Sequence, residues 1–185
     1  MGYRLEQRLI DGFTPLTSPR SNVWYHMWGS STTAAMTQNE VRAIPLWLPQ
    51  GSYNALGAET TGAGEAGSVI RLGVYADDGN GYPSSLLVDA GTIAGDGATA
   101  FKTVSINLTL AAGWYWLAGV AQLCPATPPT VRVSSQGNPA IVTSTSPGAT
   151  TSVAFSGTSA SGALNSTFGS PTRQGNTIRV AIRGA

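Results

Sequence analysis

The stretch GWYWLAGVAQ, residues 113 to 122, carries no charged side chain. Read as a strand, it places Trp114, Trp116, Ala118 and Val120 on one face and Tyr115, Leu117, Gly119 and Ala121 on the other. Neither face holds a group that needs water. Such a strand must be buried on both sides, or on one side and against a neighbouring subunit. The competing reading is an aromatic shelf for a sugar, but that calls for Asn, Asp, Gln or Arg alongside, and the run offers only Gln122. Burying one Trp removes about 200 Å² from water, worth several kcal/mol at ~25 cal/mol per Å². Trp114, Tyr115, Trp116 and Leu117 are therefore expected in the core, with the aromatic ladder facing inward.

The rest of the chain supplies layers for such a strand. SVIRLGVYA sets Ile70, Leu72 and Val74 against Val69, Arg71, Gly73 and Tyr75, and the first set is the core side. KTVSINLTL turns Val104, Ile106, Leu108 and Leu110 inward and Ser105, Asn107 and Thr109 outward. LLVDAGTI is a further short strand. VRAIPLWLP is β-rich but interrupted by Pro45, which favours an edge strand or a bulge. ADDGNGYPSS and GDGATA are turn clusters. Strands of this length between Gly, Pro and Asp turns, with no helical stretch between them, predict an all-β, antiparallel sandwich.

Residues 1 to 21 are expected to form a short N-terminal arm or anchor (YRLEQRLI could be helical), ended by Pro15 and Pro19. Residues 22 to 185 form one sandwich domain. Within it, residues 134 to 172 are rich in Ser, Thr, Gly, Ala and Pro. NTIRVAIRG beyond them alternates Ile178, Val180 and Ile182 against Arg179, Ala181 and Arg183. A half-buried strand needs a sheet to join, so residues 134 to 172 should cross the sandwich and bring 176 to 184 home as the closing strand.

Charged residues make up 10% of the chain and the net charge is +1. No field draws nucleic acid or a membrane surface, and no apolar run is long enough for a membrane span or a signal sequence. The lone Cys124 excludes an internal disulfide and reads as a small buried apolar group. No catalytic, cofactor or metal site is expected. His26 is the only histidine, and no G-x-S-x-G elbow accompanies it. Asp77, Asp78 and Asp89 could in principle supply a carboxylate pair, but turn geometry explains the first two more simply. Counted as a calcium loop from Asp78, Tyr82 and Pro83 fall where a ligand and a glycine belong. The candidates for contact with a ligand or host molecule are Trp24, Trp28, Trp47 and Tyr82. Trp24, His26 and Trp28 would share one strand face, and Tyr82 stands at the tip of the Gly-rich turn.

IPLWLPQG, GEAGSVIRLGVYADDGNGYPSSLLVDAGTI and KTVSINLTLAAGWYWLAGVAQ together resemble a β-sandwich module of bacteriophage tail, fibre and minor virion proteins. The form is an R-L-G-V-Y strand, a Gly-rich turn that reads D-D-G-x-x-x-P here, an L-L-x-D-A-G-T strand and a strand ending in Y-W-L-A, over roughly residues 44 to 122. The resemblance implies a jelly-roll-like sandwich that serves as a non-enzymatic structural protein of the virion, made in the host bacterial cytoplasm. It would be a fibre, tail tip or capsid decoration, in a homo-oligomer with a trimer favoured. The arm would meet other virion proteins and the loops the host surface. A carbohydrate-binding module with a host glycan on its exposed Trp or Tyr is the alternative.

Overall fold

The computed structural model describes residues 17–27, 30–135, 154–158 and 161–185. These residues hold thirteen strands and no helix. The strands are β1 (Trp24–His26), β2 (Ser30–Ala35), β3 (Glu40–Leu48), β4 (Gly51–Gly62), β5 (Val69–Asp77), β6 (Pro83–Ala94) and β7 (Ala100–Leu110). They continue as β8 (Gly113–Gln122), β9 (Thr130–Ser135), β10 (Ala154–Thr158), β11 (Thr172–Gln174), β12 (Asn176–Ile178) and β13 (Val180–Gly184). They make two antiparallel sheets. Sheet A has seven strands in the order β1-β13-β4-β9-β12, with β2 paired to β9 and β7 to β4. Sheet B has six, in the order β11-β10-β3-β8-β5-β6.

The chain is an antiparallel sandwich, and its interior follows the alternation in the sequence. Ile44, Leu48, Ile70, Leu72, Val74 and Leu117 of sheet B meet Tyr53, Leu56, Val131, Val133, Val180 and Ile182 of sheet A in one cluster. Val104, Ile106 and Leu108 lie half-buried against it, in the expected phase. Gly119 lets the sheets close: a Cβ there would sit 2.9 Å from Cγ2 of Ile178. Cys124 is buried, and burial pushes its thiol pKa up.

The aromatic ladder of β8 does not face this interior. Leu117 and Ala121 do, with Tyr115 half-buried beside them. Trp116, Ala118 and Val120 point to the opposite face of sheet B, where Trp116 is only 2% exposed and Trp114 is half-buried. A second apolar cluster covers that face, built from Val41, Ala43, Tyr75 and Trp116 under Phe155, Leu164 and Phe168. Alternation requires both faces to be buried but does not say which one meets the other sheet.

The cover is a strap of residues 161 to 171, fastened by hydrogen bonds along its length. Gln122 Nε2 donates to Gly162 O (2.9 Å), Leu164 N–H to Asp89 Oδ2 (3.0 Å) and Tyr75 O–H to Asn165 O (3.0 Å). Leu86 N–H then donates to Ser166 O and Phe168 N–H to Ser84 O, both at 2.9 Å. Gly73 lies beneath Leu164 so closely that any Cβ would collide with it. The strap returns to β11, which pairs with β10 at the edge of β3.

The polar stretch 134 to 172 therefore contributes strands and an outer layer rather than a bare crossing, although its residues 136 to 153 and 159 to 160 lie outside the described residues. The closing strand is two strands parted at Arg179, whose N–H donates to Arg132 O (2.9 Å). Its first half pairs with β9 and its second lies between β1 and β4. Pro45 is in β3, an inner strand by sheet order, but at Pro45 itself only β8 pairs with it among the described residues. It faces Trp116 across β8, while β10 pairs with β3 only over Glu40 to Ala43, so the missing N–H leaves no described ladder bond broken.

Residues 1 to 16 of the expected arm lie outside the described residues. Those that follow already belong to the packed body. The ring of Pro19 covers Gly51 and Gly184, Arg20 N–H donates to Tyr25 Oη (2.7 Å), and Asn22 N–H donates to Gly184 O (3.0 Å).

Candidate functional site

The residues that carry the sequence signature fasten the sandwich together. Arg71 of RLGVY donates Nη1–H to both Asp89 oxygens of LLVDAG, at 2.9 and 3.0 Å. Asp77 Oδ2 accepts from the indole N–H of Trp116 (2.8 Å), and its Oδ1 accepts from Gly79 N–H (2.8 Å). Asp78 Oδ1 accepts from Asn80 N–H (2.7 Å) and Tyr82 N–H (3.1 Å). These bonds hold the turn, in which Gly79 and Gly81 take φ of 88° and 83°, a region side chains resist. All three aspartates are thus engaged as structure, as the turn reading expects for Asp77 and Asp78. Among the described residues no group of three or more His, Cys, Asp or Glu is placed to hold a metal ion.

Burial alone would raise the pKa of Asp89. The N–H groups of Leu164 and Gly91 and the Arg71 guanidinium outweigh it and hold the carboxyl below its ordinary value. The folded state therefore binds this proton less readily than the unfolded chain, in which Asp titrates near ~3.9. The stability from this group is complete above that value and is lost as pH falls through the folded one. Thermal melts should show the midpoint dropping as pH falls from about 5 through the ordinary Asp value and on below it. Asp89→Asn should be less stable at neutral pH and show a shallower acid slope.

The four contact candidates fall in different places. Tyr82 stacks on Phe155, centroids 5.0 Å apart, and borders a surface cleft of about 720 Å³ with Ser84, Ser85, Thr167, Phe168 and Pro171. Trp47 is half-buried on the outer face of sheet B, in register with Trp114. Trp28 lies outside the described residues. Trp24 sits on the outer face of sheet A, which the strap does not reach.

That face brings aromatic and charged groups together. Trp24 meets Phe101 edge-on, centroids 5.0 Å apart at 83°, and Arg183 lies over the Trp24 ring at 5.4 Å. Arg183 Nε–H donates to Asn54 Oδ1 (2.7 Å). Phe101 is 46% exposed and lies across Gly57, where a Cβ would come within 2.6 Å of its Cζ. Beside Phe101 is a cleft of about 160 Å³ formed with His26, Glu59, Arg132, Arg179 and Ala181. Glu59 takes Arg132 side-on, Nε to Oε2 at 3.1 Å and Nη2 to Oε1 at 2.9 Å, and this bonding lowers the glutamate pKa. Arg179 Nε–H donates to Ser134 Oγ (3.1 Å), and burial together with the Arg132 charge lowers its pKa. His26 Nδ1 lies 3.0 Å from Met27 O, so Nδ1 carries the proton and Nε2 is the outer atom.

Alternation had put Trp24 and His26 on one face, and they are there. Phe101, Glu59, Arg132 and Arg179 were not singled out. The available signal was phase: Phe101 shares the outward register of Ser105, Asn107 and Thr109, where a large aromatic is out of place.

No family model, curated protein or solved structure matches the chain.

Proposed function

We propose that this chain is a non-enzymatic structural component of a phage particle, a jelly-roll-like sandwich serving as fibre, tail tip or capsid decoration. The observation that carries the reading is the interlock of the signature residues. Arg71 with Asp89 and Asp77 with Trp116 link the four motifs of the resembling region in two pairs, so the signature specifies a framework. A framework built to that pattern serves assembly and contact, with residues 1 to 21 joining other virion proteins and the loops meeting the host surface. Half-buried Trp47 and Trp114, with Phe101 and Leu123 at 46% and 58% exposure, offer apolar surface for association. Size-exclusion chromatography with light scattering on the isolated chain tests this. A stable species of three times the 19.0 kDa chain mass is expected. A monomer at micromolar concentration would remove the assembly argument.

A second reading, a carbohydrate-binding module, is favoured by the outer face of sheet A. The exposed ring of Phe101 beside Asn, Arg and Glu side chains is a combination that can meet the C–H face of a sugar ring and bond its hydroxyls.

A further inference from the structure

We propose that the surface cleft between the Gly-rich turn and the strap binds a neutral sugar, a hexopyranose unit of an uncharged glycan. The carbohydrate-binding reading rests on the outer face of sheet A; this site lies on the other sheet, and its own lining carries the case for a sugar.

The polar part of the lining suits hydroxyls better than ions. Asp78 is the only charged side chain among the described residues that line the cleft. Its Oδ1 accepts from the N–H groups of Asn80 (2.7 Å) and Tyr82 (3.1 Å), which fix the carboxyl and hold its pKa below the ordinary value. A carboxylate has about four acceptor positions, so capacity remains for sugar hydroxyls. Ser85 and Thr167 face each other as an antiparallel bridge, between the bonds Leu86 N–H to Ser166 O and Phe168 N–H to Ser84 O. Residues directly opposite put their side chains on one face, about 5 Å apart. Two exposed hydroxyls therefore stand side by side in the lining. Ser84 Oγ donates to Ala76 O (3.1 Å) and keeps its acceptor pairs. An anionic sugar would meet Asp78 with no cation in the described lining to offset it. A cationic one would gain little, because an ion pair at an exposed carboxylate contributes almost nothing.

The apolar part is a wall held in place. Tyr82 is half-buried, its ring tilted 32° on Phe155 with centroids 5.0 Å apart, and its N–H is tied to Asp78. Pro83, Phe168 and Pro171 continue the wall. Such rings offer apolar surface to the C–H face of a pyranose. Asp77 fixes the turn through Gly79 N–H and the Trp116 indole, so little ordering is needed when a ligand enters. A volume of about 720 Å³ falls in the range of small-molecule sites and exceeds one pyranose, so the glycan can run on along the surface.

The experiment is a glycan array carrying neutral, amine-bearing and carboxylate-bearing oligosaccharides, probed with the full chain, followed by isothermal titration with the glycan of strongest signal. Signal on neutral glycans that persists in salt is the expected result. Signal confined to the amine-bearing or carboxylate-bearing glycans overturns the neutral assignment. A blank array overturns the proposal and the carbohydrate-binding reading together. Tyr82→Ala should weaken the titrated affinity about tenfold. Thr167→Val, which replaces one exposed hydroxyl by a methyl, should weaken it about threefold and melt as the wild type does. Unchanged affinity in both variants overturns the assignment of the cleft. Loss of binding in Phe101→Ala but not in Tyr82→Ala moves the site to the outer face of sheet A. That result overturns this proposal and leaves the carbohydrate-binding reading standing.

Discussion

Trp116→Ala should cost the chain about 3–5 kcal/mol, a large part of the ~5–15 kcal/mol that holds a domain of this size folded. The side chain is 2% exposed and sits at the centre of the cluster between sheet B and the strap, with Phe155 5.4 Å away. Removing it empties the space under Phe155 and withdraws the indole donor from Asp77, whose other oxygen holds the turn. Two losses of different kind are combined, and a second variant separates them. Trp116→Phe keeps most of the ring volume and loses the bond to Asp77, so it should cost about 1–3 kcal/mol. Denaturant titration followed by far-UV circular dichroism reads both without relying on tryptophan emission. If Trp116→Ala costs less than about 1 kcal/mol, the outer cluster is not a core at all.

That variant probes the point where sequence and structure part. Alternation in GWYWLAGVAQ correctly requires cover on both faces, and Trp116 and Leu117 are both buried. It is symmetric between the faces, though, and the aromatic ladder was assigned to the wrong side. The deciding information lies some fifty residues away, in Leu164 and Phe168, isolated apolar residues in a stretch of Ser, Thr and Gly with no period of its own. β4 was hidden for a related reason. GSYNALGAETTG is built of small residues with few β-branched ones, yet it lies between β7 and β13 at the centre of sheet A. Pro45 is a mixed case: β3 is an inner strand by sheet order, yet the position is a local edge among the described residues. Its lost donor matters only where a neighbour needs it, and β10 pairs with β3 short of that position.

The candidate sites divide in the same way. Trp24 and His26 were legible as a pair because they are two residues apart in one strand. The rest of that face comes from Glu59 in β4, Phe101 in β7 and Arg132 in β9, with Arg179 between β12 and β13. Apart from Phe101, out of phase in β7, each is unremarkable in its own strand. Only the sheet order brings them together, and no local pattern encodes sheet order. The motifs that were most conspicuous in the sequence, by contrast, serve the framework. Arg71 bonds to Asp89 across β5 and β6, Asp77 to Trp116 of β8, and Asp89 to Leu164 of the strap.

Phe168→Ala tests whether the strap is part of the fold or an addition to it, and a loss of about 3–5 kcal/mol is expected. Phe168 is 1% exposed, meets Tyr75 edge-on at 5.2 Å, and its N–H is bonded to Ser84. The strap's bonds are to the outer face of sheet B, while the interior between the sheets is closed by β13 and β4. The damage should therefore be uneven. In native-state hydrogen exchange, the amide of Leu86, which donates to Ser166 on the strap, should lose protection. Amides of Leu56 and Ile182, deep in sheet A, should keep theirs. Limited proteolysis should cut residues 161 to 171 of the variant well before the body. Phe168→Leu, which fills most of the space, should restore both the protection and the resistance. A uniform loss of protection across both sheets would mean that strap and sandwich unfold as one cooperative unit. Unchanged stability and cleavage would mean that Trp116 is kept dry by something other than residues 161 to 171.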